Sequence, residues 1–429
     1  MDTIFAPATA PGRAGVAIIR VSGPAADDSL DVLGVTKLPV FRQAAVRKIF
    51  TTDGLLDEAL VLRFAANHSF TGEPVTELHV HGSEAVLAKV ISILADIPGY
   101  RMAEAGEFTH RALHNNRMDL TQVEALADLI DAQTEAQRKL AASGFSGEFT
   151  KQIETWRSNL LRAAALTEAT IDFADEDIPE DVMPEVTQIL DLLIDEFRSE
   201  IDHAQYAERV RDGFVVAIVG APNVGKSTLL NRIAGRQAAI TSDIAGTTRD
   251  IIEVKLDLGG LPVTLLDTAG LRETDDVVET IGVDLAIERA RLADIRLFLG
   301  DAGVFKDDLY IDGDLEVIAK ADLGQNTGSL AISGLTGEGM DAVLDQIVDR
   351  LHGRYPGEGT ATRYRHQRAL CDGSKGLAEA VYLLKSGEVE AELIAQNIRS
   401  AISALDSLVG RIGVEDLLGE IFSSFCIGK

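Results

Sequence analysis

The stretch GAPNVGKST, Gly220 to Thr228, follows the apolar run Phe214–Val219 and precedes a helical pattern over Thr228–Ala234. Strand, glycine loop and helix in that order are the setting in which such a motif binds phosphate. Backbone N–H groups of the loop can cradle a triphosphate, Lys226 can reach the outer phosphates, and the Ser227 hydroxyl can ligate Mg²⁺. Further apolar strands are expected at Ile252–Leu258, Val263–Leu266, Ile295–Leu299, Leu315–Ala319 and Leu330–Ile332, with helical stretches between most of them. That alternation predicts a doubly wound α/β sheet around the loop.

The ends of these strands carry further nucleotide chemistry. DTAG, Asp267–Gly270, offers a carboxylate that can hold Mg²⁺ through water and a Gly270 amide for the γ-phosphate. AGTTRD, Ala245–Asp250, supplies Thr248 as a second candidate Mg²⁺ ligand. In AKAD, Ala319–Asp322, the Asp322 carboxylate can accept the paired donors of a guanine edge. Ser333, Gly334 and Leu335 can place amides near the guanine oxygen. Together these elements predict a GTPase. Two residues depart from the usual pattern. Ala319 stands where GTPases carry Asn, which removes one contact worth on the order of 1 kcal/mol. Leu271 stands where Ras-like enzymes orient water with Gln, so another polar group must do that work.

Outside this domain the pattern changes. Residues 1–116 read as α+β, with strand-like Val16–Val21 and Val75–Val80. Residues 117–210 read as helical. Thr121 and Glu124 have capping-box spacing, and Val123, Leu126, Ala127 and Ile130 form an apolar stripe. The α/β domain spans 211–353. GRYPGEG, Gly353–Gly359, reads as a linker, and helical pattern resumes over 354–429. The expected architecture is multidomain: an α+β N-terminal domain and a discontinuous helical domain with an α/β P-loop domain inserted.

The chain has 429 residues, and its 46% hydrophobic with 25% charged content marks it as globular. No stretch offers about 18 uncharged apolar residues, so no membrane span is expected. MDTIFAPATAPGRAG lacks the basic and apolar regions of a signal peptide. Two cysteines, Cys371 and Cys426, point to a reducing compartment, the cytoplasm. A net charge of −28 argues against non-specific nucleic-acid binding, so any RNA contact must be local or supplied by a partner. The clustered Arg363, Arg365, His366 and Arg368 read first as a solvated helix start, with local RNA contact as the sharper alternative.

Several longer segments bring a resemblance into view: Thr3–Gly23, Gly106–Ile130, Ile171–Ile178 and Glu415–Lys429, the last ending in CIGK. Over essentially its full length the chain resembles the MnmE (TrmE) family, GTPases that help modify the wobble uridine of certain tRNAs. The resemblance implies a GTP-binding set of Asn223, Val224, Gly225, Lys226, Ser227 and Thr228 in the loop. It adds Ser242, Asp243, Ile244, Ala245, Gly246, Thr247 and Thr248, then Asp267, Thr268, Ala269 and Gly270, and finally Lys320, Asp322, Ser333, Gly334 and Leu335. It implies Mg²⁺ on Ser227 and Thr248, and K⁺ in place of an arginine finger, held by Asn223, Ser242, Ile244 and Thr247. On residues alone Glu279 reads first as a solvated helix carboxylate; the resemblance gives it the water-orienting role.

The resemblance also implies that the N-terminal domain binds a tetrahydrofolate derivative, 5-formyl or 5,10-methylene, through Arg20, Glu77, Arg117 and Lys429. A pterin offers paired donors to Glu77, and glutamyl carboxylates suit Arg and Lys. Without the resemblance these are ordinary strand or surface charges. Arg117 replaces the commoner Lys, which keeps charge but changes donor geometry. Cys426 becomes a candidate catalytic residue, against the reading of a thiol buried at a helix end. The implied partners are a second copy of the chain, joined through the N-terminal domains, an FAD-binding protein of the MnmG (GidA) type, and tRNA. A ribosome-assembly GTPase would predict an RNA-binding domain such as KH; no such domain is read here, and the C-terminal CIGK argues against it.

Overall fold

The computed structural model describes residues 2–172, 182–221, 223–235, 253–267, 287–300, 304–324, 330–354, 359–386, 391–412, 418–419, 421–422, 425 and 428. These fall into two compact units, Met1–Ala127 with Asp406–Lys429, and Asp128–Leu405.

The first unit holds a six-stranded sheet of β1 (Thr3–Pro7), β2 (Ala14–Ser22), β3 (Ala45–Thr51), β4 (Gly54–Phe64), β5 (Val75–Gly82) and β6 (Tyr100–Met102). Its order is β3-β4-β5-β2-β1-β6, antiparallel except for β1 with β6. Period-two alternation sends Ile19, Val21, Leu78 and Val80 to one face, where they pack with Leu30, Val90 and Leu94 of the helices Asp28–Val32 and Glu84–Ala95. Arg20, Glu77 and His79, of opposite parity, belong to the other face. Phe70 and Phe108 pack there with Ile4 and Ala6 of β1.

The helix Leu120–Asp131 begins before the expected capping box. Asp119 is the cap: its Oδ1 accepts from the Gln122 amide at 3.0 Å, and Gln122 Oε1 accepts from the Asp119 amide at 3.1 Å. Thr121 lies inside the first turn, donating to Asp119 Oδ1, and Glu124 is buried. Asp119 wins because its carboxylate takes both the Thr121 hydroxyl and the Gln122 amide. Val123 of this helix packs with Phe422 and Phe425 near the C-terminus.

The second unit combines long helices with an α/β sheet. Met183–Asp212 packs along Tyr364–Ser386, and Trp156 of Glu148–Asp172 sits edge-on to Phe149 and Phe197. The Trp156 Nε1 donates to Glu196 at 2.7 Å, so the buried indole stays hydrogen-bonded. Between these helices runs the sheet of β7 (Phe214–Val219), β8 (Glu253–Leu258), β9 (Leu261–Asp267), β10 (Ile295–Leu299), β11 (Leu315–Ala319) and β12 (Ala331–Ile332). The order is β12-β11-β10-β7-β9-β8. All pairs are parallel except β8 with β9, a hairpin turning at Gly259 and Gly260, both at positive φ. The multidomain class is borne out, with helices before and after an α/β sheet.

The chain leaves β7 toward β9 on one side and returns to β10 on the other. That reversal opens a crevice at the carboxyl ends of the strands, where doubly wound sheets bind ligands. The loop Gly220–Gly225 follows β7 at this point.

Candidate functional site

The phosphate loop closes against the end of β10 through glycines. A Cβ on Gly220 would stand 2.6 Å from the Leu299 carbonyl oxygen, and one on Gly300 2.6 Å from Val224 Cγ2. Gly225 has φ +114° and leads into the helix Lys226–Ala234, which starts two residues before the Thr228 that the sequence pattern suggests. Asn223 adopts φ 62°, a left-handed conformation that Asn tolerates better than most residues.

Lys226 is buried, and its Nζ donates to the carbonyls of Gly220 at 2.7 Å and Ala221 at 3.1 Å. Burial pushes the Lys226 ammonium below its usual pKa, and the Asp267 carboxylate opposes that shift. A cation held by its own loop's carbonyls is poised to exchange them for phosphate oxygens. Ser227 Oγ, in the first turn of the helix Lys226–Ala234, donates to Asp267 Oδ2 at the end of β9, at 2.9 Å. A hydroxyl and a carboxylate at that distance form a hard-oxygen set that suits Mg²⁺. Val224 packs against the sheet core, and Thr228 continues the helix.

At the base end Lys320 has φ 59° and opens the short turn Ala321–Leu323, leaving Asp322 exposed. Ala319 closes β11 beside Gly300. Ser333 is buried, with its hydroxyl accepting from the Thr336 amide at 3.1 Å. A Cβ on Gly334 would meet the Leu229 amide at 2.9 Å, so this loop lies directly on the phosphate-loop helix. Arg232 of that helix donates to the carbonyls of Leu335 and Thr336, both at 2.7 Å. The sequence reading missed this brace; its only signal is an arginine five residues after Ser227. Ser242, Asp243, Ile244, Ala245, Gly246, Thr247, Thr248, Thr268, Ala269, Gly270, Leu271 and Glu279 lie outside the described residues.

On the N-terminal sheet, Arg20 and Glu77 are register partners, and Arg20 Nε donates to Glu77 Oε1 at 2.9 Å. The guanidinium lies over the rings of Phe70, 5.3 Å, and Phe108, 5.7 Å. Phe70 belongs to the same loop as Gly72, where a Cβ would stand 3.2 Å from Arg117 Cγ. The loop thus links Arg117, itself exposed, to the Arg20 neighbourhood. Gly428 has φ +101°, and a Cβ there would sit 1.9 Å from the Pro7 carbonyl oxygen. Only glycine fits, and its neighbour on β1, Pro7, follows Ala6, the register partner of Arg20. Cys426 and Lys429 lie outside the described residues.

The basic cluster does not survive as a patch. His366 is 2% exposed, accepts from the Thr362 amide and stacks near Phe149, while Arg363 pairs with Asp128 at 2.7 Å. Arg368 is exposed, 4.0 Å from Asp372, and Arg365 is half-buried. Among the described residues no helix is long and apolar enough to cross a membrane.

Two family descriptions match the chain: the GTP-binding protein TrmE N-terminus over residues 3–117, and the MnmE helical domain over residues 120–426. A tRNA modification GTPase MnmE of Cereibacter sphaeroides is 56% identical over 431 residues, covering 100% of both chains. That of Roseobacter denitrificans is 53% identical over 434 residues, again covering 100% of both. Family matches along nearly the whole chain, and relatives more than half identical from end to end, show that the chain belongs to the MnmE family of tRNA modification GTPases.

Proposed function

We propose that the chain is a K⁺-activated GTP hydrolase that, with an FAD-binding partner of the MnmG type, installs a (carboxymethyl)aminomethyl-type group at C5 of the wobble uridine of tRNAs. The observation that carries this reading is the Lys226, Ser227 and Asp267 cluster at the switch point of the sheet. Lys226 neutralises the outer phosphates, and Ser227 with Thr248 holds Mg²⁺. Asn223, Ser242, Ile244 and Thr247 hold K⁺, which supplies the positive charge that an arginine finger brings elsewhere. Glu279 orients the attacking water in the role that Leu271 cannot fill. Asp322 and the Ser333–Leu335 loop read the base.

A tetrahydrofolate, 5-formyl or 5,10-methylene, supplies the carbon that is attached to the uridine. Glu77, held by Arg20, accepts its paired donors, while Arg117 and Lys429 suit its carboxylates. Cys426, in the CIGK tail, is the candidate catalytic residue. Residues 1–116 form the folate and dimerisation domain, 117–210 and 354–429 the helical domain, and 211–353 the GTPase domain of a cytoplasmic homodimer.

Mass spectrometry of wobble uridines from cells lacking the chain tests the substrate: the C5 modification should vanish and return with the gene. Unchanged uridines would refute the reading. Purified protein should hydrolyse GTP faster in K⁺ than in Na⁺, and Glu279→Ala should cut turnover far more than nucleotide affinity. Equal rates in both salts would remove the ion from the mechanism.

A further inference from the structure

One buried polar atom on the Arg20 face of the N-terminal sheet has no hydrogen-bond partner, Nε2 of His79. His79 follows Glu77 by two residues on β5, so both side chains leave the same side of the strand. On β2 the register partner of His79 is Ile18, and on β4 it is Leu60. An apolar residue would suit such neighbours, and an orphaned imidazole nitrogen is costly to bury. Its surroundings supply one feature that uses it. Glu77 gives Oε1 to Arg20 at 2.9 Å, while Oε2 faces His79 Nε2 at 3.5 Å, just beyond a hydrogen bond.

We propose that His79 is a positioning residue for Glu77. Its Nε2–H fixes the carboxylate in the orientation in which both oxygens accept the paired N–H donors of a bound heterocycle. A carboxylate has about four acceptor sites. Arg20 takes one on Oε1 and His79 takes one on Oε2, which leaves one on each oxygen for a bidentate ligand. A small side-chain rotation closes the 3.5 Å gap. This requires the tautomer with the proton on Nε2. The ligand class is a heterocycle with an amidine-like donor pair, such as a pterin, and the inference rests on the folate reading above.

Calorimetric titration of the full-length protein with 5-formyltetrahydrofolate tests it, with GDP titration as the control at the other site. His79→Leu should weaken folate binding about tenfold, the value of one lost hydrogen bond. His79→Gln, which restores a side-chain N–H, should stay within about twofold of the parent. GDP affinity should be unchanged in both. Should leucine disturb folding, His79→Met serves as the donor-free variant. If Glu77→Gln weakens binding but His79→Leu does not, the positioning role is overturned while the folate reading stands. Equal losses in the Leu and Gln variants would show that shape, not donation, matters, and would also overturn it. A parent protein that binds GDP but no folate would overturn both.

Discussion

The Arg296–Asp314 pair permits a quantitative test of how the α/β domain is held together. Arg296 lies in β10 with its side chain 1% exposed, and Asp314 precedes β11 with its side chain 0% exposed. The Nε donates to Oδ2 at 2.7 Å, and Nη1 donates to the carbonyls of Ala290 and Arg291, each at 3.2 Å. Asp314 also accepts from the amides of Arg296 at 2.9 Å and Ile311 at 2.8 Å. Arg296→Met would leave a buried carboxylate with backbone partners only and strand two helix-end carbonyls. Breaking one side of such a pair costs about 3–5 kcal/mol. For a domain of this size about 3 °C is lost per kcal/mol, so its melting point should fall by about 10–15 °C. The paired variant Arg296→Met with Asp314→Asn removes both charges and keeps one side-chain oxygen, an acceptor for one of the two amides that Asp314 serves through separate oxygens. It should recover part of the loss, since a desolvated pair contributes little net stability. Thermal scans with and without GDP identify the relevant transition, because a ligand raises only the domain that binds it. A drop below about 3 °C in the single variant, or a double variant as unstable as the sum of its parts, would refute the reasoning.

Ala319→Asn introduces a side-chain amide beside Gly300, where the GTPase sequence pattern has Asn, and GDP should bind about fivefold to tenfold tighter by calorimetry; unchanged affinity would mean the contact is already filled. Acid should weaken the N-terminal unit: burial pushes the carboxyls of Asp2 and Glu107 up, but hydrogen bonds and charge from Arg101 and Arg111 outweigh it and hold both below the usual range. Groups so depressed contribute stability above their unfolded values near 4 that is lost as pH falls through the folded ones, so the urea midpoint should be flat from about pH 7 to 5 and drop below about pH 4; a midpoint that rises on acidification would contradict the sign.

What the sequence made legible were features whose physics is local. Apolar runs bounded by polar turns placed β7, β10 and β11 to the residue, and β7 and β10 are buried at nearly every position. The glycine loop announced itself in the same local way. Failures came where two local answers satisfy one rule. Thr121 with Glu124 and Asp119 with Gln122 both have capping spacing, and the choice rests on which side chain meets the free amides. The hairpin of β8 and β9 was readable in Gly259–Gly260, yet apolar content alone does not separate it from a parallel crossover. Other partners lie too far along the chain to be inferred. Arg363 pairs with Asp128, 235 residues away, so a basic cluster in sequence becomes dispersed side chains in space.

The same distance argument explains how a domain can sit inside another. An insertion is tolerated where the chain leaves and returns at neighbouring points. Here Arg211, at the end of Met183–Asp212, donates to the Thr362 carbonyl at 2.9 Å, so the outgoing and returning strands of chain are tied together. Asp294, buried ahead of β10, ties both to the sheet. Its carboxylate accepts from the Val215 amide at 2.8 Å and pairs with Arg209 at 3.1 Å, and its carbonyl accepts from Arg354. Arg209 is on the helix leading in, Arg354 on the helix leading out, and Val215 on the strand that carries the phosphate loop. The residue just before β10 is thus bonded to the helix leading into the sheet, to the helix that ends at Arg354 and to β7. A displacement of β7 on nucleotide binding cannot leave Asp294 in place without breaking the Val215 bond, and moving Asp294 pulls on Arg209 and Arg354 together. The clasp therefore ties the helices on either side to the strand that leads into Gly220.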